Sequence, residues 1–259
     1  MKILRSIAEL DAALTPVRAS SSLALAPTMG ALHEGHAALF RAARAECDAV
    51  VTSIFVNPAQ FTEHADLEAY PDDFERDAAV AEREEVDILF APSAAEMYPA
   101  GFATWVNPTG AADGLEDDHR PGHFSGVATV CVKLFNIVRP DRAYFGRKDA
   151  QQVAVIKQIV RDLNLAVEIR VVPTVRDSDG LALSSRNALL TPEERARALA
   201  IPRALATRDP ASALAILAEA RIQPDYVALA DLDGPTFAIA ARIGSTRLID
   251  NVLLEGAPR

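Results

Sequence analysis

The chain has 259 residues, half of them hydrophobic, and 36 acidic against 26 basic side chains give a formal charge of −10. That length suits one large domain or two modest ones, and an acidic chain is a poor general nucleic-acid binder, because phosphate backbones demand Lys and Arg. Two cysteines in no metal or redox spacing argue against a disulfide framework and fit a reducing cytoplasm.

Ser6 to Val17 predicts a short amphipathic helix ending near Pro16. Met1 to Arg5 lack the apolar run and cleavage site of a signal peptide. No stretch approaches the roughly 20 apolar residues of a membrane span, so a cytoplasmic protein without membrane contact is expected. Leu23 to Ala26 reads as a buried strand and Ala37 to Ala45 as a helix, and between them lies Pro27-Thr28-Met29-Gly30-Ala31-Leu32-His33-Glu34-Gly35-His36. His33 and His36, three residues apart, share a helix face. The helix start offers unpaired N–H groups and a positive dipole end, and Gly30 and Gly35 let backbone approach a ligand. This pattern points to a phosphate site with two imidazole donors. Paired histidines also suit zinc, but Cys47 and Cys131 are far apart in sequence and there is no second histidine pair.

Ala49 to Val56 is apolar and β-branched, a second buried parallel strand. It ends in Asn57-Pro58-Ala59-Gln60-Phe61. Ligands of open α/β sheets bind beyond the carboxyl ends of strands, which makes Asn57 and Gln60 candidates; a turn whose amide only caps backbone is the alternative. Asp66 to Glu85 reads as a charged helix, its acids Asp72, Asp73, Asp77, Glu82, Glu84 and Glu85 mostly a solvated face. Asp77 is the candidate for holding Mg²⁺ through water. Val86 to Phe90 is a third strand. Arg120 to Gly126 opens an apolar helix, Val127 to Val138, expected to be central or at an interface. Arg120 and His123 either face a pocket or fix the loop.

Ala143 to Phe145 is a short strand running into Gly146-Arg147-Lys148-Asp149-Ala150-Gln151-Gln152, and a helix from Val153 to Leu163 follows. Lys148 is placed as a point charge for phosphate, and Asp149 to accept from ribose hydroxyls; a solvated lysine is the alternative. After a strand at Val167 to Val172, the loop Leu183-Ser184-Ser185-Arg186 offers two hydroxyls and a guanidinium, donors that suit a triphosphate. Thr191-Pro192-Glu193-Glu194 is a helix start with Thr as cap, and the helix runs to about Ala206. A helix at Ala211 to Ala220 and strands at Asp225 to Ala230, Thr236 to Arg242 and Arg247 to Leu254 complete the chain. The fold class is therefore α/β: a Rossmann-like doubly wound parallel sheet over 1–186, with a second, smaller α+β C-terminal domain over 187–259.

Four of these segments, in this order, resemble one family. His33-Glu34-Gly35-His36 resembles the HIGH signature of the nucleotidyltransferase superfamily, and Pro27 to His36 is similar to the first motif of the pantoate–β-alanine ligase (pantothenate synthetase) family. Asn57 to Phe61 looks like that family's pantoate segment. Gly146 to Gln152 resembles its Gly-Glu-Lys-Asp-x-Gln-Gln motif, with Arg147 where the Glu is usual. Leu183 to Arg186 matches the segment that replaces the KMSKS loop of the wider superfamily. Arg120-Pro121-Gly122-His123-Phe124 and the stretch Gly244 to Asn251 match as well.

The resemblance implies ATP-dependent joining of (R)-pantoate to β-alanine through a pantoyl-adenylate, with release of AMP and pyrophosphate. It implies Mg²⁺ as cofactor and a homodimer. Met29, Gly30, Ala31, Leu32, His33, Glu34, Gly35 and His36 would bind ATP, as would Gly146, Arg147, Lys148, Asp149, Leu183, Ser184, Ser185 and Arg186. Val175 would meet adenine through its backbone. His33, His36, Lys148, Ser184, Ser185 and Arg186 would be catalytic, and Asn57, Gln60 and Gln152 would bind pantoate and β-alanine. The chain departs from the family at Asp72-Asp73, where Arg-Thr is frequent, and in a shorter stretch between Ala206 and Pro224. The rival readings are an adenylyltransferase of coenzyme A or NAD synthesis and a non-catalytic nucleotide-binding module.

Overall fold

The computed structural model describes residues 1–62, 67, 68 and 70–254. By their contacts the residues fall into two units, one of 1–146 with 155–172, the other of 147–154 with 173–259. The sequence places the division at 186/187; contacts place 147–154 and 173–186 with the C-terminal strands. One cause is that Asn251 Nδ2 donates to the carbonyls of Arg147 and Lys148, at 3.1 and 2.9 Å. Another is that Arg176 pairs with Asp250 at 2.6 Å.

The first unit is built on a six-stranded sheet, β1 (Lys2–Leu4), β2 (Leu23–Thr28), β3 (Ala49–Ile54), β4 (Ile88–Phe90), β5 (Arg142–Gly146) and β6 (Glu168–Val172). The order is β1-β4-β3-β2-β5-β6, and every pairing is parallel. The doubly wound parallel sheet expected from sequence is thus present. Leu23, Ala24, Leu25 and Ala26 are fully buried or nearly so, as a central parallel strand with both faces covered requires. The chain winds outward from β2 through β3 to β4, then reverses through β5 to β6, so the switch point lies between β2 and β5. Ligands of such sheets bind beyond the strand ends at that crevice.

Helix α1 (Ile7–Arg18) starts with a capping box between Ser6 and Glu9, and α2 (Glu34–Glu46) starts at His33. The expected charged helix is α3 (Phe74–Arg83); Asp66, where it was to begin, lies outside the described residues. Asp77 is only 1% exposed, so it does not belong to the solvated face assigned to it. Glu84 also departs from that face, since its side chain receives Arg41 and Arg83. Short helices follow, α4 (Ala94–Met97) and α5 (Glu116–His119). The apolar helix is α6 (His123–Val138), starting four residues earlier than expected and buried along most of its length. Phe40, Leu32, Ala24, Ala26 and Tyr144 share one core cluster in this unit, each large apolar side chain contributing about 1.5–3 kcal/mol. Helix α7 (Ala150–Asp162) is the expected one after the Lys148 turn.

The second unit carries a three-stranded antiparallel meander of β7 (Pro224–Asp231), β8 (Pro235–Ile243) and β9 (Thr246–Leu253). The three strands read from sequence are these. Phe237, Ile239, Ala241 and Ile243 on β8 meet Ala198, Ile201, Ala204, Leu205 and Leu217 in the core. The single helix expected from Thr191 to Ala206 is two, α8 (Pro192–Ala198) and α9 (Ala200–Ala206), before α10 (Pro210–Glu219). The reason is Pro202, which has no N–H to return to the Ala198 carbonyl and whose ring crowds it. The Thr191–Glu194 capping box is present as the sequence predicts.

Candidate active site

In the first unit, β2 runs straight into the histidine turn. Gly30 sits at φ +86°, a left-handed conformation, and a Cβ there would meet Asp77 Oδ2 at 2.9 Å. Asp77 reaches up from α3 and accepts the Leu32 N–H at 2.7 Å. The Ala31 amide also bonds to this carboxylate, yet burial outweighs both amides and raises its pKa above the usual value. Asp77 therefore shapes the turn that carries the histidines. Among the described residues no group of three or more His, Cys, Asp or Glu could hold a metal ion.

The backbone also dictates where the imidazole protons are. His33 Nδ1 accepts the Gly35 N–H at 3.1 Å, and His36 Nδ1 accepts the His33 N–H at 3.2 Å. A ring nitrogen that accepts from an amide carries no proton, so both rings are neutral with the proton on Nε2. The ring centroids are 4.2 Å apart. Gly35 is required beneath them, because a Cβ would lie 2.8 Å from His33 Cε1. Two Nε2–H donors thus stand at the start of a 13-residue helix, at the positive end of its dipole. Glu34 faces outward to Arg41.

Beyond β3, the turn at Pro58–Gln60 brings Asn57 and Gln60 together. Both are buried, at 1% and 8% exposure. Asn57 Oδ1 accepts from Ala59 N–H and the Tyr98 hydroxyl, so its Nδ2 donates to Gly126 O and Gln60 Oε1, each at 3.1 Å. With its oxygen committed to Asn57, Gln60 directs its amide NH₂ toward Met29 Sδ. A donor here suits a carboxylate or hydroxyl oxygen. Burial pushes the Tyr98 hydroxyl up to about 12, the buried Cys131 adding to it, so the phenol remains a donor. His123 Nδ1 lies 2.9 Å from the Gln60 carbonyl, and Arg120 lies against His123 Nε2. Tyr98 and Gly126 carry no signal in the sequence, because the Tyr98 contact with Asn57 spans 41 residues and that of Gly126 with Asn57 spans 69.

The second unit holds the cationic residues. Lys148 lies on the turn Arg147–Asp149, its ammonium 3.5 Å from Asp149. It lines a small cavity with Ser184, Asn187 and Asp250. Arg147, which stands where the family has Glu, is buried and donates to Asp233 O and Thr236 Oγ1 at 3.1 and 2.8 Å. Burial lowers its pKa, partly offset by Asp233. Gly146 ends β5 at an ordinary φ, with space where a Cβ would go. Val175 O accepts the Leu183 N–H at 3.0 Å, which closes a loop ahead of Ser184. Ser184 caps the turn Ser185–Leu189 by accepting the Arg186 N–H. Arg176 and Arg195 in this stretch are neutralised by Asp250 and by Asp177 with Asp179. Arg186 has no ion pair among the described residues, which leaves its charge uncompensated. Gln152 is half-buried on the first turn of α7.

The family model for pantoate-beta-alanine ligase matches residues 2–253. The chain belongs to the pantoate–β-alanine ligase family. A pantothenate synthetase of Rhizorhabdus wittichii is 51% identical, with all of both chains covered. That alignment runs over 282 positions against 259 residues here, so the relative carries residues this chain lacks. The crystal structure of pantothenate synthetase from Thermus thermophilus superposes with a TM-score of 0.89 at 45% identity, covering 97% of this chain and 99% of that one. The pantoate-beta-alanine ligase of Francisella tularensis, complexed with beta-gamma ATP and beta-alanine, superposes with a TM-score of 0.90 at 36% identity, covering 98% and 97%.

Proposed function

We propose that this ligase joins (R)-pantoate to β-alanine at the expense of ATP, by way of a pantoyl-adenylate. The observation that carries the reading is the pair of histidines locked by backbone amides as Nε2–H donors at a helix N-terminus. A carboxylate acylates poorly, so it must be activated. Pantoate's carboxylate attacks the α-phosphorus of ATP and expels pyrophosphate; the amine of β-alanine then attacks the adenylate carbonyl, loses a proton and releases AMP. No covalent enzyme intermediate forms, so catalysis is positioning plus stabilisation of developing phosphoryl charge.

In this reading the segment Met29–His36 receives ATP, with His36 donating to the leaving group and His33 beside it. Lys148, Ser184, Ser185 and Arg186 hold phosphate oxygens, Asp149 a ribose hydroxyl, and the Val175 backbone the adenine. Asn57, Gln60 and Gln152 hold pantoate. A magnesium ion would travel on ATP's phosphate oxygens and offset their charge. With Asp77 engaged by the Ala31 and Leu32 amides, no carboxylate of the described residues is assigned to it. We further propose a cytoplasmic homodimer, which sedimentation velocity would show as a species of twice the chain mass; no helix of the described residues is long and apolar enough to cross a membrane.

The deciding experiment is pyrophosphate–ATP exchange with Mg²⁺ and pantoate, β-alanine omitted. Exchange that depends on pantoate, followed by AMP release on adding β-alanine, is expected. Exchange with an adenylylated phosphate product but not with pantoate would mark an adenylyltransferase instead. Silence in both, with ATP still bound, would mark a binding module.

A further inference from the structure

The sequence leaves two roles open for His123, and the structure distinguishes them. His123 is the first residue of α6 and is 7% exposed. Its Nδ1 faces the Gln60 carbonyl at 2.9 Å, and a carbonyl can only accept, so Nδ1 carries a proton. Its Nε2 faces Arg120 Nη1 at 3.1 Å, and a guanidinium can only donate, so Nε2 carries none. The tautomer is the opposite of that in His33 and His36. The same first turn of α6 presses on the Gln60 turn from beside: a Cβ on Gly126 would lie 2.2 Å from Ala59 O and 2.6 Å from Gln60 N. Gly126 O also takes the Asn57 amide that orients Gln60.

We propose that His123 is a positioning residue for pantoate. Held neutral by Arg120, it donates to the Gln60 carbonyl and so fixes the turn whose side chain presents the donor to the acid substrate. This deepens the function proposed above and rests on the assignment of Gln60 to pantoate. Removing the imidazole takes the shorter of two donors from the buried Gln60 carbonyl and leaves it the longer contact from Arg120 Nη2 at 3.5 Å, a penalty comparable to a lost hydrogen bond, and the turn shifts to recover one. The ATP-facing histidine turn has its own partners in the Leu32 and Gly35 amides, and those are untouched.

The test compares His123→Asn, His123→Gln and His123→Ala in pantoate-dependent pyrophosphate exchange, with thermal denaturation alongside. The shorter asparagine amide reaches the place of Nδ1–H, whereas the glutamine amide extends to the place of Nε2. His123→Ala and His123→Gln are expected to raise the pantoate KM by about tenfold or more, with the ATP KM within about twofold. His123→Asn is expected to remain within about threefold of the unmodified enzyme. If His123→Ala does not fold, the asparagine–glutamine pair still decides. Arg120→Met, which frees the ring to take the other tautomer and also removes the 3.5 Å contact of Arg120 Nη2 with the Gln60 carbonyl, is expected to raise the pantoate KM alone, by about threefold. Equal KM values for pantoate in all variants, or parallel increases for both substrates with a lowered Tm, would overturn the inference. Absence of pantoate-dependent exchange in the unmodified protein would overturn the functional reading and this inference with it.

Discussion

The two units hold their candidate groups in different ways. In the first unit the groups are neutral: two imidazoles and two amides. Each is oriented by a partner that leaves no choice of donor or acceptor, as when Gly35 N–H meets His33 Nδ1 or Ala59 N–H meets Asn57 Oδ1. In the second unit the groups are mostly charged or hydroxyl-bearing, and it is the backbone beneath them that is pinned. Asn251 ties the Arg147 and Lys148 carbonyls, and Ser184 caps the turn of Arg186. Lysine and arginine donate in every orientation, so they need only be brought to the right place. Histidine and the amides present opposite chemistry when flipped, so they need their polarity fixed as well.

Changes that delete a group outright should cost most. His36→Ala and Lys148→Ala are each expected to slow pantoate-dependent exchange by on the order of 10²–10³, as loss of a charge-stabilising donor does. Equal loss through unfolding, visible by circular dichroism, would void both assignments. Reversing polarity without changing shape should come next. Gln60→Glu removes the donor while keeping size, and is expected to raise the pantoate KM by about 10- to 100-fold while the ATP KM is preserved. Matched increases for the two substrates would remove Gln60 from the pantoate side.

Gly126→Ala addresses the support beneath that amide. With 2.2 Å between the new Cβ and the Ala59 oxygen, the turn and α6 must part. A loss of about 1–3 kcal/mol in unfolding free energy is expected from overpacking, read in a urea titration. An unaltered midpoint would show that the contact relaxes freely.

The smallest effect concerns pH. Burial raises the Asp77 pKa in the folded protein, so the folded state binds this proton more tightly than the unfolded chain. The penalty is present above the folded pKa and relieved as pH falls through it. Measured against Asp77→Asn, the unmodified protein should therefore gain relative stability as pH falls through the raised folded pKa toward the ordinary carboxylate range. A difference independent of pH would contradict the burial account.

Much of this arrangement was legible in the sequence. Apolar β-branched runs alternating with helical segments gave the parallel sheet, and the spacing of His33 and His36 put both rings at one helix start. The Thr191–Glu194 capping box was readable residue by residue because it is local. Pro202 divides the segment expected as one helix into α8 and α9. Sequence alone assigns Asp77 to a solvated face, because its partner, the Leu32 amide, lies 45 residues away.

The sequence by itself therefore determined the elements, the glycines that permit the tight turns, and the family to which the motifs belong. Those depend on interactions within a few residues, where periodicity and capping chemistry act. Only the tertiary structure decided the strand order, the proton position on His123, and the direction of the Gln60 amide. Each of these is set by hydrogen-bond partners or pairings whose identity depends on what the fold brings alongside: Gln60 meets His123 across 63 residues, and Arg147 meets Thr236 across 89.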